Sequence, residues 1–291
     1  MKNLRLLVSV ILVAGLAGAS TSAQRKASLG DNAALRYWAA FSAMQDSDIS
    51  SQQAKELNAT LDGTAPYQDL KYKDLVEKNK LALQIMARAT ALPNCDWGLD
   101  YALGEDVPVE YARKALALGR INVLYAFHLL IIGDRAGAVH TLAAGLRFSK
   151  DVANGGSLFS ALVSKDLLEN HFRAIAFASH RGGLTPEQRQ QLQSAVAQLG
   201  PNPLDWPAAA RRDLESLRRR FAGDPHASAA LSRIISCYIG ALTEASRMPA
   251  LQQAIGSAPR QVADLIPNSK RVLEQKQQLN EKLAQMHSLL R

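Results

Sequence analysis

The residues best suited to chemistry lie in one stretch, residues 92–107, which has the sequence LPNCDWGLDYALGEDV. It combines a cysteine, an aromatic pair and four acids, and two glycines interrupt it. Binding and catalytic residues concentrate in loops that a rigid scaffold holds in place. We therefore take this loop as the first candidate site. Its candidate binding residues are Cys95, Asp96, Trp97, Asp100, Tyr101 and Glu105.

Acid pairs in this loop, such as Asp96 with Glu105, could perform glycosidase-type or lytic chemistry, which needs two carboxyl groups flanking the scissile bond. The alternative is a structural connector, in which Trp97 fills the core and the acids cap helices. The chain contains no Gly-x-Ser-x-Gly elbow, phosphate-binding loop or Gly-x-Gly-x-x-Gly motif. No residue is therefore assigned a catalytic role.

The two cysteines leave two alternatives open. In an exported chain, Cys95 and Cys237 could form one disulfide, which would stabilise the fold by about 4–5 kcal/mol in the chain-entropy model. Otherwise both are free thiols.

His128 and His140 lie six residues either side of Asp134, so a hairpin would bring them to similar heights. Without a His-Glu-x-x-His motif or a closely spaced Cys/His pair, we expect no metal and no cofactor.

The chain is mildly basic, with 34 Lys and Arg against 26 Asp and Glu. It lacks a basic run interleaved with aromatics, so no nucleic-acid partner is expected. Contact with an anionic envelope surface is one hypothesis, and a solvated face with i,i+4 ion pairs is the other. The residues concerned are predicted to cluster on one helix: Arg211, Arg212, Arg218, Arg219 and Arg220.

The elements that must position these residues are helices, organised around residues 110–152. The first part is increasingly apolar, and after Asn122 only His128 interrupts the run. A helix that is apolar on all sides is a buried helix, and this one is too interrupted for a membrane span. Gly133 is suited to ending it and Asp134 to capping the next. The pattern predicts an antiparallel hairpin with its first helix at the centre.

This hairpin resembles a tetratricopeptide-type helix pair. The matching positions are Ala126, Gly133, Asp134, Ala138, Leu142 and Gly145. The closing proline is replaced by Lys150, and the helices are longer than the repeat allows. The resemblance implies local hairpin geometry and a binding role. The Cys-Asp-Trp-Gly loop ahead of this hairpin is also similar to a set of exported bacterial helical proteins without an assigned activity, which supports the architecture only.

The first 23 residues resemble a secretory signal peptide in their physical pattern. Lys2 and Arg5 precede an apolar run, and Thr21-Ser22-Ala23 offers a cleavage site before Gln24. The sequence therefore predicts export to the periplasm or the medium. An uncleaved N-terminal anchor is the alternative. Removing this segment lowers the formal net charge from +8 to +6, because it contains two basic residues and no acidic ones.

Helical periodicity without alternating strand patterns predicts an all-α fold, in which antiparallel helical hairpins are stacked as a bundle or short solenoid. Residues 24–267 form the helical domain, including one long helix over residues 69–91. Residues 268–291 form a C-terminal amphipathic helix with a heptad seam. We expect it to dock onto the body rather than dimerise, which predicts a monomer or a weak dimer.

Three functional hypotheses follow. The leading one is a non-enzymatic exported protein that binds a protein or peptide in a groove between hairpins. The second is a cell-envelope hydrolase that uses acids of the 92–107 loop, and the third is a basic adaptor at the membrane or cell-wall surface. A large apolar groove without convergent carboxylates would favour the first, and a polar cleft with a desolvated acid pair the second.

Overall fold

The computed structural model describes residues 29–46, 50–107, 109–181 and 183–291, with the side chains of residues 29, 102, 105 and 106 outside that description. The predicted signal peptide therefore lies outside the described residues. Those residues contain no β-strand, only an isolated bridge between Asn32 and Asn94, which confirms the all-α fold class.

The described residues form the following α-helices: α1 (Ala33–Ala43), α2 (Ser51–Leu61), α3 (Asp69–Lys78), α4 (Lys80–Ala89), α5 (Glu110–Ile131), α6 (Arg135–Val152), α7 (Leu158–Arg181), α8 (Pro186–Ala197), α9 (Trp206–Ser216), α10 (Pro225–Thr243), α11 (Met248–Gly256), α12 (Arg260–Ala263) and α13 (Ser269–Leu289).

Most helix starts follow from local capping chemistry. A side-chain oxygen before the first turn accepts a hydrogen bond from a backbone N–H that has no partner inside the helix. Ser50 and Thr185 each form a full capping box with a glutamine three residues later. The other side chains that cap in this way are Asn32, Asp134, Asp205, Asp224 and Asn268.

Helices α5, α6 and α7 form the centre of the bundle. Gly133 has a φ of 85° and ends the first helix of the predicted hairpin, while Asp134 caps the second. Since α6 runs antiparallel to both neighbours, α5 and α7 run parallel. They approach closely where Leu167 packs on Gly119. By length and composition α5 could cross a membrane, but 61% of its apolar window is buried inside the protein, as in a core helix.

The outer helices pack around this centre as a bundle. Helix α1 pairs with α4, α3 packs on α5, and α2 packs on α7. Helices α9, α10 and α11 form a second group, which contacts α7 through α9. Because α1 pairs with a helix three elements along the chain, the hairpins are not a simple series of sequential neighbours.

The predicted helix over residues 69–91 is wrong in one respect, because it is two helices. Asn79 interrupts it, and the Asn79 amide donates to the carbonyl of Gln45 and accepts from the Gln45 N–H, at 2.7 and 2.9 Å. Leu70 and Leu81, near the starts of the two helices, lie exposed.

The predicted burial of the apolar run is also wrong at its end. Ile131, the last residue of α5, and its C-cap Ile132 are each 61% exposed.

The C-terminal helix α13 docks onto α7 and α8. Its seam residues Val272, Leu279 and Met286 are buried. Lys276, which interrupts the seam, donates to the carbonyl of Leu242 at 2.6 Å in the last turn of α10. Lys276 therefore supplies a hydrogen-bond donor to a carbonyl that has no partner within α10, and does not weaken the packing of the seam.

Candidate functional site

The 92–107 loop closes over the C-terminal end of α6. The last carbonyls of a helix have no partner within it, and here the loop supplies donors. The Trp97 indole N–H donates to the Asp151 carbonyl at 2.9 Å, and the Cys95 thiol lies 3.6 Å from the same oxygen. In return, the Asn154 side chain donates to the Cys95 carbonyl at 2.6 Å.

Trp97 belongs to the core beneath the loop, whereas Tyr101 is half-buried at its edge. The Trp97 ring stacks on Tyr111 with centroids 4.2 Å apart, and also on Phe41 at 6.1 Å. The Tyr101 hydroxyl donates to the Gly155 carbonyl at 2.9 Å. These contacts correspond to the connector alternative, in which the aromatic side chains anchor the loop to the bundle.

Of the acids in the loop, Asp96 has a well-described environment. The Asp96 carboxylate accepts from the Gly98 N–H at 2.9 Å and so shapes a local turn. The backbone N–H and carbonyl of Asp96 form two hydrogen bonds with the Asn32 side chain. The side chain of Glu105 lies outside the described residues. The described part of the loop thus places Asp96 in a turn rather than in a cleft.

An ion pair with a buried carboxylate lies beneath the loop. The Asp151 carboxylate accepts from the Tyr37 hydroxyl at 2.7 Å and from the Arg147 Nε at 3.1 Å. Burial raises the pKa of Asp151, while the bonds from Tyr37 and Arg147 oppose that rise. Burial, reinforced by the Asp151 charge, also raises the pKa of Tyr37. The Arg147 side chain extends from this pair into a groove.

That groove follows one face of α6 between α4 and α8, and we call it the α6 groove. It consists of two adjoining cavities of about 560 Å³ each, with His140 in the wall of both. The α6 residues along it, from Gly137 to Arg147, span about 15 Å at 1.5 Å per residue. A groove of this length accommodates about four or five residues of extended peptide.

The two halves of the α6 groove differ in character. The apolar half lies between α4, α5 and α6 and includes Leu83, Ala87, Tyr125 and Leu129. The polar half lies between α6 and α8, where amide and hydroxyl side chains form one wall. That wall includes Gln190, Gln191, Ser194 and Gln198. Among the described residues, Glu187 is the one carboxylate that lines either half.

The cysteines and histidines do not converge on a common site. Cys95 is buried beside α6 and Cys237 is half-buried in α10, and both are free thiols. His128 pairs with Asp69 at 2.9 Å, His171 is fully buried in the core, and His140 faces the α6 groove. In the described residues no group of three or more His, Cys, Asp or Glu side chains could hold a metal ion.

The arginine cluster does not lie on one helix, contrary to the sequence-based expectation. Helix α9 ends at Ser216, and a 3₁₀ helix (Leu217–Phe221) carries Arg218, Arg219 and Arg220. With three residues per turn, three consecutive side chains point in three directions. Arg212 is also engaged, because it donates to the Gly156 carbonyl at 3.3 Å.

These observations define an all-helical bundle with a two-part groove on its surface. No protein-family model matches the chain, and no curated protein or solved structure is significantly similar to it.

Sequence reasoning did not find the α6 groove. Its available signal was the alanines on α4, α6 and α8 that line it, such as Ala87, Ala143 and Ala195, since small residues leave space between helices.

Proposed function

We propose that this protein is a non-enzymatic, exported helical protein that binds a peptide or an extended segment of another protein in the α6 groove. The observation that carries the proposal is the groove itself, about 15 Å long, with an apolar half beside a polar one. Peptide sites combine such apolar pockets with a few polar groups that fix orientation. The apolar half has no carboxylate among its described lining residues, which is unsuited to acid-pair hydrolysis.

A selection experiment tests this proposal. The purified protein is immobilised and offered a synthetic pool of random nonapeptides with free carboxyl termini, and retained peptides are identified by mass spectrometry. We expect peptides to be enriched over blank resin. Ala87→Trp, which fills the apolar half, should abolish their binding. The control is Ala229→Trp on the exposed face of α10, which should bind as the unmodified protein does.

Two outcomes would contradict the proposal. One is the absence of enrichment over blank resin. The other is equal binding by the Ala87→Trp and Ala229→Trp proteins, because the peptides would then bind outside the α6 groove.

Export is part of the same proposal and is supported by the pattern of residues 1–23. Mass spectrometry of the protein isolated from its native cell should find Gln24 at the N-terminus. A membrane-bound product that retains Met1 would contradict cleavage and support the uncleaved anchor.

A further inference from the structure

The orientation of Arg147 is set from beneath the α6 groove. Its Nε donates to Asp151, whose carboxylate also accepts from Tyr37. Asp151 and Tyr37 are both buried, so the ion pair is attached to the core. Within the described part of the chain, the two terminal nitrogens of Arg147 form no hydrogen bond or ion pair. They belong to a side chain that is 39% exposed and lines the polar half.

A guanidinium held in this way is suited to binding a carboxylate. Its planar N–H groups match the two oxygens of a carboxylate in a bidentate pair. Because the Nε contact already restricts the side chain, less rotamer entropy is lost when a ligand binds. The surface on which this group lies therefore favours a planar anion over a neutral amide.

Charged groups of both signs surround the groove. Besides Arg147, its charged lining residues within the described chain are Arg88 in the apolar half and Glu187 in the polar half. Lys150 lies one turn beyond Arg147, where its ammonium donates to the carbonyls of Gln198 and Leu199. Burial, followed by the neighbouring charge of Arg147, lowers the pKa of Lys150. Asp151 and Glu187 balance Arg147 and Lys150 in formal charge at this end of the groove, so the preference for a carboxylate comes from the free N–H groups of Arg147 and not from net charge.

We infer that the ligand of the α6 groove is a peptide that carries a carboxylate, bound by Arg147, and an apolar side chain, bound between Leu83 and Leu129. This inference rests on the proposed function and specifies its ligand class. Thr141 in the apolar half and Arg147 are six residues apart on α6, or about 9 Å. That distance corresponds to about three residues of extended peptide between the two anchors.

Matched peptides test the inference. The peptides retained in the selection are resynthesised with each acidic side chain, or the terminal carboxylate, replaced by its amide. Fluorescence anisotropy then compares the two forms. We expect one such replacement to weaken binding about 10–100-fold, the range for a charge-assisted bidentate pair. In the Arg147→Gln variant, the affinities for the acid and amide forms should differ by less than about 2-fold. The affinity of this variant for the amide form should equal that of the unmodified protein.

Two further variants separate recognition from structure. Arg233→Gln removes an exposed guanidinium on α10, outside the groove, and should preserve the acid preference. Arg147→Lys keeps a charge beside Asp151 but loses the planar fork, and should give an intermediate preference. It also tests the inference if Arg147→Gln does not fold.

The result separates the inference from the proposed function. If retained peptides show no acid preference while Ala87→Trp still blocks them, the inference is wrong and groove binding stands. An acid preference that persists in both Arg147 variants would also overturn it. If Ala87→Trp has no effect, the proposed function itself fails.

Discussion

At the scale of single residues, the centre of the bundle depends on a buried polar contact between three helices. The His171 Nδ1 lies 2.7 Å from the Leu167 carbonyl and its Nε2 lies 3.1 Å from the Asn122 amide. Burial lowers the pKa of His171 to about 4. The ring is therefore neutral at pH 7, with Nδ1–H donating and Nε2 accepting. Gly145 leaves the space that this ring occupies.

Gly145→Ala should be strongly destabilising. A Cβ at this position would lie 2.1 Å from His171 Nε2 and 2.5 Å from the Asn122 amide nitrogen. Overpacking of this kind costs about 1–3 kcal/mol, and displaced buried polar groups add to it. We expect a loss of about 3 kcal/mol in urea unfolding. Gly256→Ala is the control, because nothing lies within 4 Å of its added Cβ. Equal effects of the two substitutions would contradict this account.

Asp213→Asn should change the pH dependence of stability. Burial raises the pKa of Asp213 to about 6, although its carboxylate accepts from the Leu158 N–H at 3.0 Å. Because the pKa of Asp213 is higher in the folded state, the charged carboxylate lowers the stability of the protein above pH 6. The protein regains that stability as the pH falls toward 4 and the carboxyl becomes protonated. The asparagine variant should therefore be more stable than the unmodified protein at pH 7, by about 1–2 kcal/mol after allowance for partial exposure.

That advantage should decrease by about 1 kcal/mol at pH 5. Urea unfolding at both pH values measures it. The matched control Asp213→Ala should show the same pH trend, but with lower stability throughout, because it loses the bond to the Leu158 N–H. Parallel pH profiles for all three proteins would show that the Asp213 charge is not destabilising.

At the scale of elements, α5 and α13 are buried to a similar degree at their contact points. Leu124 is 1% exposed and Leu279 is 0% exposed. An amphipathic helix at the end of a chain can leave its apolar seam partly solvated. In this structure α13 instead buries Val272, Leu279 and Met286 as it packs on α7 and α8. The amphipathic pattern shows that one face of a helix is apolar. How far a residue on that face is buried depends on the helices that pack against it.

Leu124→Ala and Leu279→Ala should each cost about 2–5 kcal/mol, from lost transfer energy plus the cavity. Leu279→Ala should fall at the lower end, because a terminal helix can shift toward the cavity more easily than a central one. Arg219→Ala, at an exposed site, should stay within about 0.5 kcal/mol. Urea unfolding of the three variants checks the order. If Leu124→Ala had the smallest effect, α5 would not be the central helix.

At the scale of the whole molecule, two hydrophobic clusters share one central helix. One cluster contains Trp206 and the second half of α5, and the other contains Trp97 and the first half. Leu75 and Tyr125 pack against both clusters. Since neither cluster is complete without α5, we expect the described helices to unfold as one unit.

This cooperativity can be measured with tryptophan variants. Trp206→Phe leaves fluorescence from Trp38 and Trp97, whereas the double variant Trp38→Phe/Trp97→Phe leaves Trp206 alone. In each protein the urea midpoint from fluorescence should coincide with the midpoint from far-ultraviolet circular dichroism, as for a two-state transition. Separate fluorescence and circular dichroism midpoints in either protein would show that the clusters unfold independently.

The sequence by itself determined the helical class and most helix boundaries. Asn32, Thr185 and Asp224 are of residue types that favour the N-cap position and each caps a helix, and the Gly133-Asp134 turn joins the central pair. These signals are predictable because a cap acts on backbone groups within three or four residues of itself. The 92–107 loop was also found from its composition. Its structural alternative, with Trp97 in the core, matches the described contacts.

Tertiary structure decided what the sequence could not show. The break at Asn79 depends on a bond to Gln45. The α6 groove depends on α4 and α8, which are far apart in the chain. Tyr37 and Asp151, which hold Arg147 in that groove, are 114 residues apart. Local periodicity shows which face of a helix is apolar but not which helix will cover it. A groove is the part of a face that no helix covers, so packing alone determined its position.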